Sequence, residues 1–130
     1  IGACTDNISN KLVFDKIQFA PTANFDLLSS AFKASSAQNI PCRVGNIYST
    51  DLFYLEDENR YHELIQHGVM AVDMETSALY TMSARAGVKA LSILTVSDNI
   101  ITGAASSSQD RQEKFMGMMK IALAAALGDD

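Results

Sequence analysis

Two short apolar runs separated by one helical stretch set the strongest limit on how this chain can fold. Val69-Met70-Ala71-Val72 has strand length, and Ala90-Leu91-Ser92-Ile93-Leu94-Thr95-Val96 is a second such run. Between them, Met74 to Ala86 reads as a helix with Leu79, Met82 and Ala86 on one stripe and Gly87 as its stop. Strand, helix and strand in that order fit a βαβ unit, whose crossover makes the two strands parallel. The expected fold class is therefore α/β. Parallel strands end on a common edge, where ligands of open α/β sheets bind. Asp73-Met74-Glu75 after the first run and Ser97-Asp98 after the second are expected to meet there.

The flanking segments extend the pattern. Asn24 to about Gln38 reads as a helix with Phe25, Leu28 and Phe32 on one face, and Pro41 breaks it. Cys42 to Tyr48 reads as a strand in which Gly45 marks a bulge. If that strand is parallel too, Asp51, Phe53 and Tyr54 join the same edge. Asp57 to about His67 reads as a polar helix stopped by Gly68. A loop of small residues, Thr102 to Ser108, leads into a last helix starting near Ser107 or Ser108. Its expected apolar face is Phe115, Met118, Met119, Ala122, Leu123 and Ala126, and Gly128 ends it. No internal repeat or linker is visible, so residues 1–130 are read as one structural unit. The opening, Ile1-Gly2-Ala3-Cys4, reads as the end of a buried strand entered partway, so a longer polypeptide is expected.

Composition narrows the function classes. Hydrophobic residues make up 48% of the chain and charged ones 19%, enough for a packed core and too apolar for a disordered segment. The net charge of −5 comes without any cluster of Lys or Arg, which argues against a nucleic-acid groove. No run approaches the roughly 18 apolar residues of a membrane span, and no signal peptide is visible. A soluble cytoplasmic protein is expected, with Cys4 and Cys42 as buried free thiols. His62, Glu63 and His67 miss the spacing of a metal-binding H-E-x-x-H helix by one residue, so no metal is expected.

Five segments then carry a resemblance: Gly2-Ala3-Cys4-Thr5-Asp6, Arg43-Val44-Gly45-Asn46, Asp51-Leu52-Phe53-Tyr54, Val72-Asp73-Met74-Glu75 and Thr95-Val96-Ser97-Asp98. In order and spacing they resemble the hexameric, bacterial-type purine nucleoside phosphorylases. The likeness continues through Arg111-Gln112 and Phe115 into Lys120-Ile121-Ala122-Leu123. The resemblance implies part of a three-layer nucleoside phosphorylase fold, with a mixed, mostly parallel sheet flanked by helices. It implies cleavage of a purine nucleoside by inorganic phosphate, giving free base and (deoxy)ribose 1-phosphate. Phosphate is then a co-substrate, and no cofactor is implied. A homo-oligomer of dimers within a hexamer is implied as well.

By the same resemblance, Phe53 lies against the purine with Tyr54 beside it, and Val72 lines the substrate site. Met74 packs under the sugar and Glu75 accepts hydrogen bonds from the ribose hydroxyls. Ser97 and Asp98 face the base edge, with Asp98 delivering a proton to N7 and Arg111 assisting. Burial beneath the base favours a protonated carboxyl and a close arginine opposes it. Arg111 is therefore expected to approach Asp98 mainly as the proton leaves. Two positions depart from the family pattern: Asn99 stands where a His is usual, and Asp73 where a Glu is common. The family's phosphate-binding half would precede Ile1, so residues 1–130 are expected to be a C-terminal partial domain.

Three rival readings follow. Uridine phosphorylases share the Met-Glu motif, but Glu56-Asp57-Glu58-Asn59-Arg60 lacks the Gln they use to read pyrimidine. Hydrolytic methylthioadenosine nucleosidases share the Asp but lack the Arg111-Gln112 helix start. A catalytically silent subunit or fragment that binds nucleoside or partner chains is the reading from another class.

Overall fold

The computed structural model describes residues 1–52 and 58–128. Strands β1 (Ala3–Thr5), β2 (Asn46–Ser49) and β3 (Val69–Asp73) form a sheet in the order β1-β2-β3, with both neighbouring pairs parallel. The helices are α1 (Ile8–Phe14), α2 (Phe25–Ala37), α3 (Glu58–Gln66), α4 (Thr76–Ala86) and α5 (Ser108–Leu127). The described residues group into two compact units. The first comprises Ile1–Asn24 and Val44–Leu91; the second comprises Phe25–Arg43 and the chain from Ser92 onward. Each unit is assembled from separated stretches of the chain. No composition shift marks the division, because the chain crosses between the units more than once.

In the first unit, register explains the layers. Ala3 pairs with Ile47 and Ile47 with Ala71, while Thr5 pairs with Ser49 and Ser49 with Asp73. Side chains alternate across a strand, so these two rows share one face, and α4 packs on it through the Ser77 amide, which donates to Ser49 Oγ at 3.0 Å. The Cys4, Tyr48 and Val72 row faces the other way. There Arg60 of α3 donates to the Tyr48 hydroxyl at 3.2 Å and pairs with Asp6 at 3.2 Å. Tyr48 in turn donates to Asp6 at 2.6 Å, and burial first, then this carboxylate, raises its pKa. Helix, sheet and helix form three layers. A register shift between Asn46 and Ile47 sits directly after Gly45, where the bulge was expected.

In the second unit α2 packs along α5. The buried positions are small residues, Ala31, Ala34 and Ser35 on α2 and Ala125 on α5, beside one large aliphatic, Ile121. Ile40 lies over Gly117, within ordinary contact of where a Cβ would stand.

The structure corrects several expectations. Residues 88–97 contain no strand, so the expected βαβ unit over 69–96 is absent; the parallel crossover runs instead from β2 through α3 to β3. A run of apolar residues becomes a strand only against a partner ladder, and residues 88–97 pair with none of the three strands. The expected apolar stripes are also turned outward. Phe25 is 75% exposed, and Phe32, Leu79, Met82, Phe115, Met119 and Leu123 are exposed too. Small and hydroxyl-bearing side chains hold the packed faces because they allow close approach. Met74 and Glu75 precede α4 and are not part of its first turn. Cys4 and Cys42 are free but exposed, not buried. Cys4 shares the outward face of edge strand β1, and Cys42 lies in the segment after Pro41. Helix α1 was not expected.

Gly68 and Gly87 do end α3 and α4 as read, with φ of 76° and 68°. His62 and His67 are exposed. Among the described residues, no His, Cys, Asp or Glu cluster could hold a metal ion, and no helix is long and apolar enough to cross a membrane.

Candidate functional site

In the first unit, candidate residues gather at the C-terminal ends of its parallel strands. The last paired row, Thr5–Ser49–Asp73, is polar throughout. The Asp73 carboxylate accepts from the Ser49 hydroxyl through one oxygen. Through the other it accepts from the Thr76 amide, at 3.0 Å, and from the Thr76 hydroxyl. Asp73 thus satisfies the first amide of α4 from two residues ahead of the N-cap position, Glu75, whose own side chain makes no cap bond. The main chain adds a further tie, since Thr50 N donates to Asp73 O at 3.0 Å. Ser77 Oγ donates to Asn7 Oδ1 at 3.1 Å, and Asn7 Nδ2 donates to Asp51 Oδ1 at 2.6 Å. Asp51 also receives the Ile8 amide at 3.2 Å, which seats the start of α1.

Met74 and Glu75, expected to meet the sugar, follow directly after Asp73 in this network, while Val72 lies in the row on the opposite face of the sheet. Val72 is half-buried on β3, whereas Met74 and Glu75 are exposed. Met74 N donates to Glu75 Oε2 at 3.3 Å, so the carboxylate lies back over its own turn. Asp51 ends up beside this edge as expected, because β2 is parallel to β3. Phe53 and Tyr54 lie outside the described residues.

The second unit holds Ser97, Asp98 and Arg111. Ser97 Oγ donates to Asp98 Oδ2 at 2.7 Å. Asp98 bridges antiparallel to Ala105, and Ser106 N donates to Ser97 O at 2.8 Å, closing a small loop. Asn99 organises that loop: its Oδ1 accepts from Ile101 N and Thr102 N, both at 3.0 Å, and its amide donates to Ala104 O at 2.7 Å. Gly103, with φ of 69°, supplies the left-handed residue the tight return requires. Ser107 then caps α5, accepting from Asp110 N at 3.1 Å and donating to Asp110 Oδ2 at 2.7 Å. These Ser107 bonds hold the Asp110 carboxyl below its ordinary pKa, with a smaller contribution from Lys114. Arg111 occupies the first turn of α5 with an exposed side chain, and it forms no ion pair with Asp98.

Sequence reasoning named the residues at the strand ends but missed those that hold them: Asn7, Ser49, Thr50, Thr76 and Ser77. The available signal was the run Ser49-Thr50-Asp51 leaving a strand and Thr76-Ser77 opening a helix. Hydroxyls cluster at such places because they satisfy amides that have no ladder partner.

Residues 2–128 match the family model of the phosphorylase superfamily. The chain belongs to the phosphorylase superfamily. Among curated members, the DeoD-type purine nucleoside phosphorylase of Bacillus cereus (strain B4264) is 50% identical over 125 residues, covering 96% of this chain and 53% of that protein. That of Brevibacillus brevis (strain 47 / JCM 6285 / NBRC 100599) is 47% identical over 127 residues, covering 98% of this chain and 54% of its own length. The chain thus spans about half the length of these phosphorylase superfamily relatives.

Proposed function

We propose that this chain supplies the C-terminal part of a purine nucleoside phosphorylase, with the phosphate-binding groups contributed by residues outside it. The observation that carries the reading is the 50% identity to a DeoD-type purine nucleoside phosphorylase over 96% of the chain. The Ser97–Asp98 pair on its closed loop supports it, because a proton donor needs a fixed direction.

In this mechanism the purine rests against Phe53, with Tyr54 beside it. Val72 and Met74 line the sugar's side, and Glu75 accepts from the ribose hydroxyls. Asp98 gives its proton to N7 as the glycosidic bond to N9 breaks, so the base leaves neutral. Phosphate attacks the anomeric carbon as positive charge builds on the ribose. Arg111 swings toward the new Asp98 carboxylate and stabilises it only then, which is where stabilisation accelerates the step. The protein needs no cofactor besides its co-substrate phosphate, works in the cytoplasm and assembles from several copies of itself.

Asp98→Asn in the assembled enzyme tests the proton donor. Asn still hydrogen-bonds N7 but has no proton to give. Inosine turnover should fall by about 10²–10⁴ with KM moving far less. A 7-methylpurine nucleoside, whose base is already cationic, should keep most of its rate. Equal loss on both substrates would remove Asp98 from that role.

A further inference from the structure

We propose that Asp73 is a positioning residue whose carboxylate fixes the turn carrying Met74 and Glu75, and so sets where the ribose hydroxyls are met. The inference rests on the phosphorylase reading above and extends it to a residue that does not touch substrate. Its basis is the number and direction of the bonds on one side chain. A carboxylate only accepts, so Ser49, the Thr76 amide and the Thr76 hydroxyl must all donate to it. The Ser49 proton is thereby committed to Asp73, leaving its lone pair for Ser77 N. Ser77 then donates to Asn7, and Asn7 donates to Asp51. The links run outward from Ser77 in two directions, and each arm ends on an acceptor-only carboxylate, Asp73 on one side and Asp51 on the other.

The donors of the clamp are buried: Ser49 is 0% exposed and Thr76 and Ser77 are each 2% exposed, while Asp73 is half-buried, so a donor that loses its carboxylate partner is poorly placed to find water instead. Only Met74 and Glu75 lie between the clamped positions 73 and 76, and both are exposed. A half-buried carboxylate held by buried donors, next to two exposed residues, is a way to hold a short ligand-facing turn without occupying the ligand's space. The Asp side chain also suits this place, because capping an amide three residues ahead needs a short reach.

The test uses Asp73→Asn, Thr76→Val and Glu75→Gln in the assembled enzyme, assayed on inosine and on 2′,3′-dideoxyinosine, which lacks the hydroxyls Glu75 would accept from. Asp73→Asn should lower kcat/KM for inosine about tenfold and change the dideoxy substrate much less. The double variant with Glu75→Gln should be no worse than Glu75→Gln alone, since both break one interaction. Thr76→Val removes a single hydroxyl and should show the same substrate selectivity more mildly, even if Asp73→Asn folds poorly. Equal losses on both substrates, or fully additive losses in the double variant, would overturn the positioning role. Wild-type enzyme that does not phosphorolyse inosine would instead overturn the phosphorylase reading on which it stands.

Discussion

At the scale of single residues, Asn99 and Ser107 bracket the Asp98 loop and do separable work. Asn99 accepts two amides at the neck of the loop, so Asn99→Ala should loosen the segment that carries Asp98, the proposed proton donor. Inosine turnover should then drop severalfold while a 7-methylpurine nucleoside is affected less, and Asn99→Asp, which keeps the acceptor, should restore most of the loss. Ser107→Ala removes the α5 cap and should cost about 1 kcal/mol in thermal or urea unfolding. Its partner Asp110 adds a pH dependence. The folded-state pKa of Asp110 is depressed, so its stabilisation is present above the ordinary carboxylate value and is lost as pH falls through the folded value. Unfolding curves of wild type and Asp110→Asn should therefore differ at neutral pH and converge in acid; a gap that persists there would contradict the Ser107 pairing.

At the scale of elements, the packing between α2 and α5 predicts which substitutions matter. Ile121, only 3% exposed, should cost about 2–5 kcal/mol when cut to Ala. Leu123→Ala, two residues on but exposed, should cost little. This contrast also shows why the helices were legible in the sequence and their packed faces were not. Glycine stops and a serine cap act locally, so the ends of α3, α4 and α5 could be read from the chain itself. Which stripe is buried depends on what approaches it. The α4 face that packs carries Thr76, Ser77, Tyr80 and Thr81, while Leu79 and Met82 point away. Helix α1 escaped notice because Asn7, its cap position, turns its amide to Asp51, a partner 44 residues away, and does not bond the helix start. The run from 88 to 97 failed as a strand for the same reason: pairing is not a property of one segment. Motif order points to Met74, Glu75 and Asp98 as candidates, but the hydroxyls that hold Asp73 become visible only once β2 and β3 lie in register.

At the scale of the whole molecule, many large apolar side chains remain in contact with solvent, among them Phe25 and Phe32 on α2 and Phe115, Met116, Met119 and Leu123 on α5. Apolar surface of this kind marks interaction sites or drives association. A 130-residue polypeptide of this sequence, prepared alone, should therefore bind an apolar dye and elute well above 14.1 kDa in size-exclusion chromatography; a sharp monomer peak without dye binding would show that these faces are closed in solution. The directed hydrogen bonds at the strand ends bear on time as well as on place. The amides of Thr50 and Ser77 give their protons to acceptors on neighbouring strands, Asp73 O and Ser49 Oγ. Neither proton can trade with deuterium from the solvent until that end of the sheet comes apart. Their exchange rates would act as a clock on the opening of the first unit. The neighbouring amides of Met74 and Glu75, on an exposed turn, would keep a much faster one.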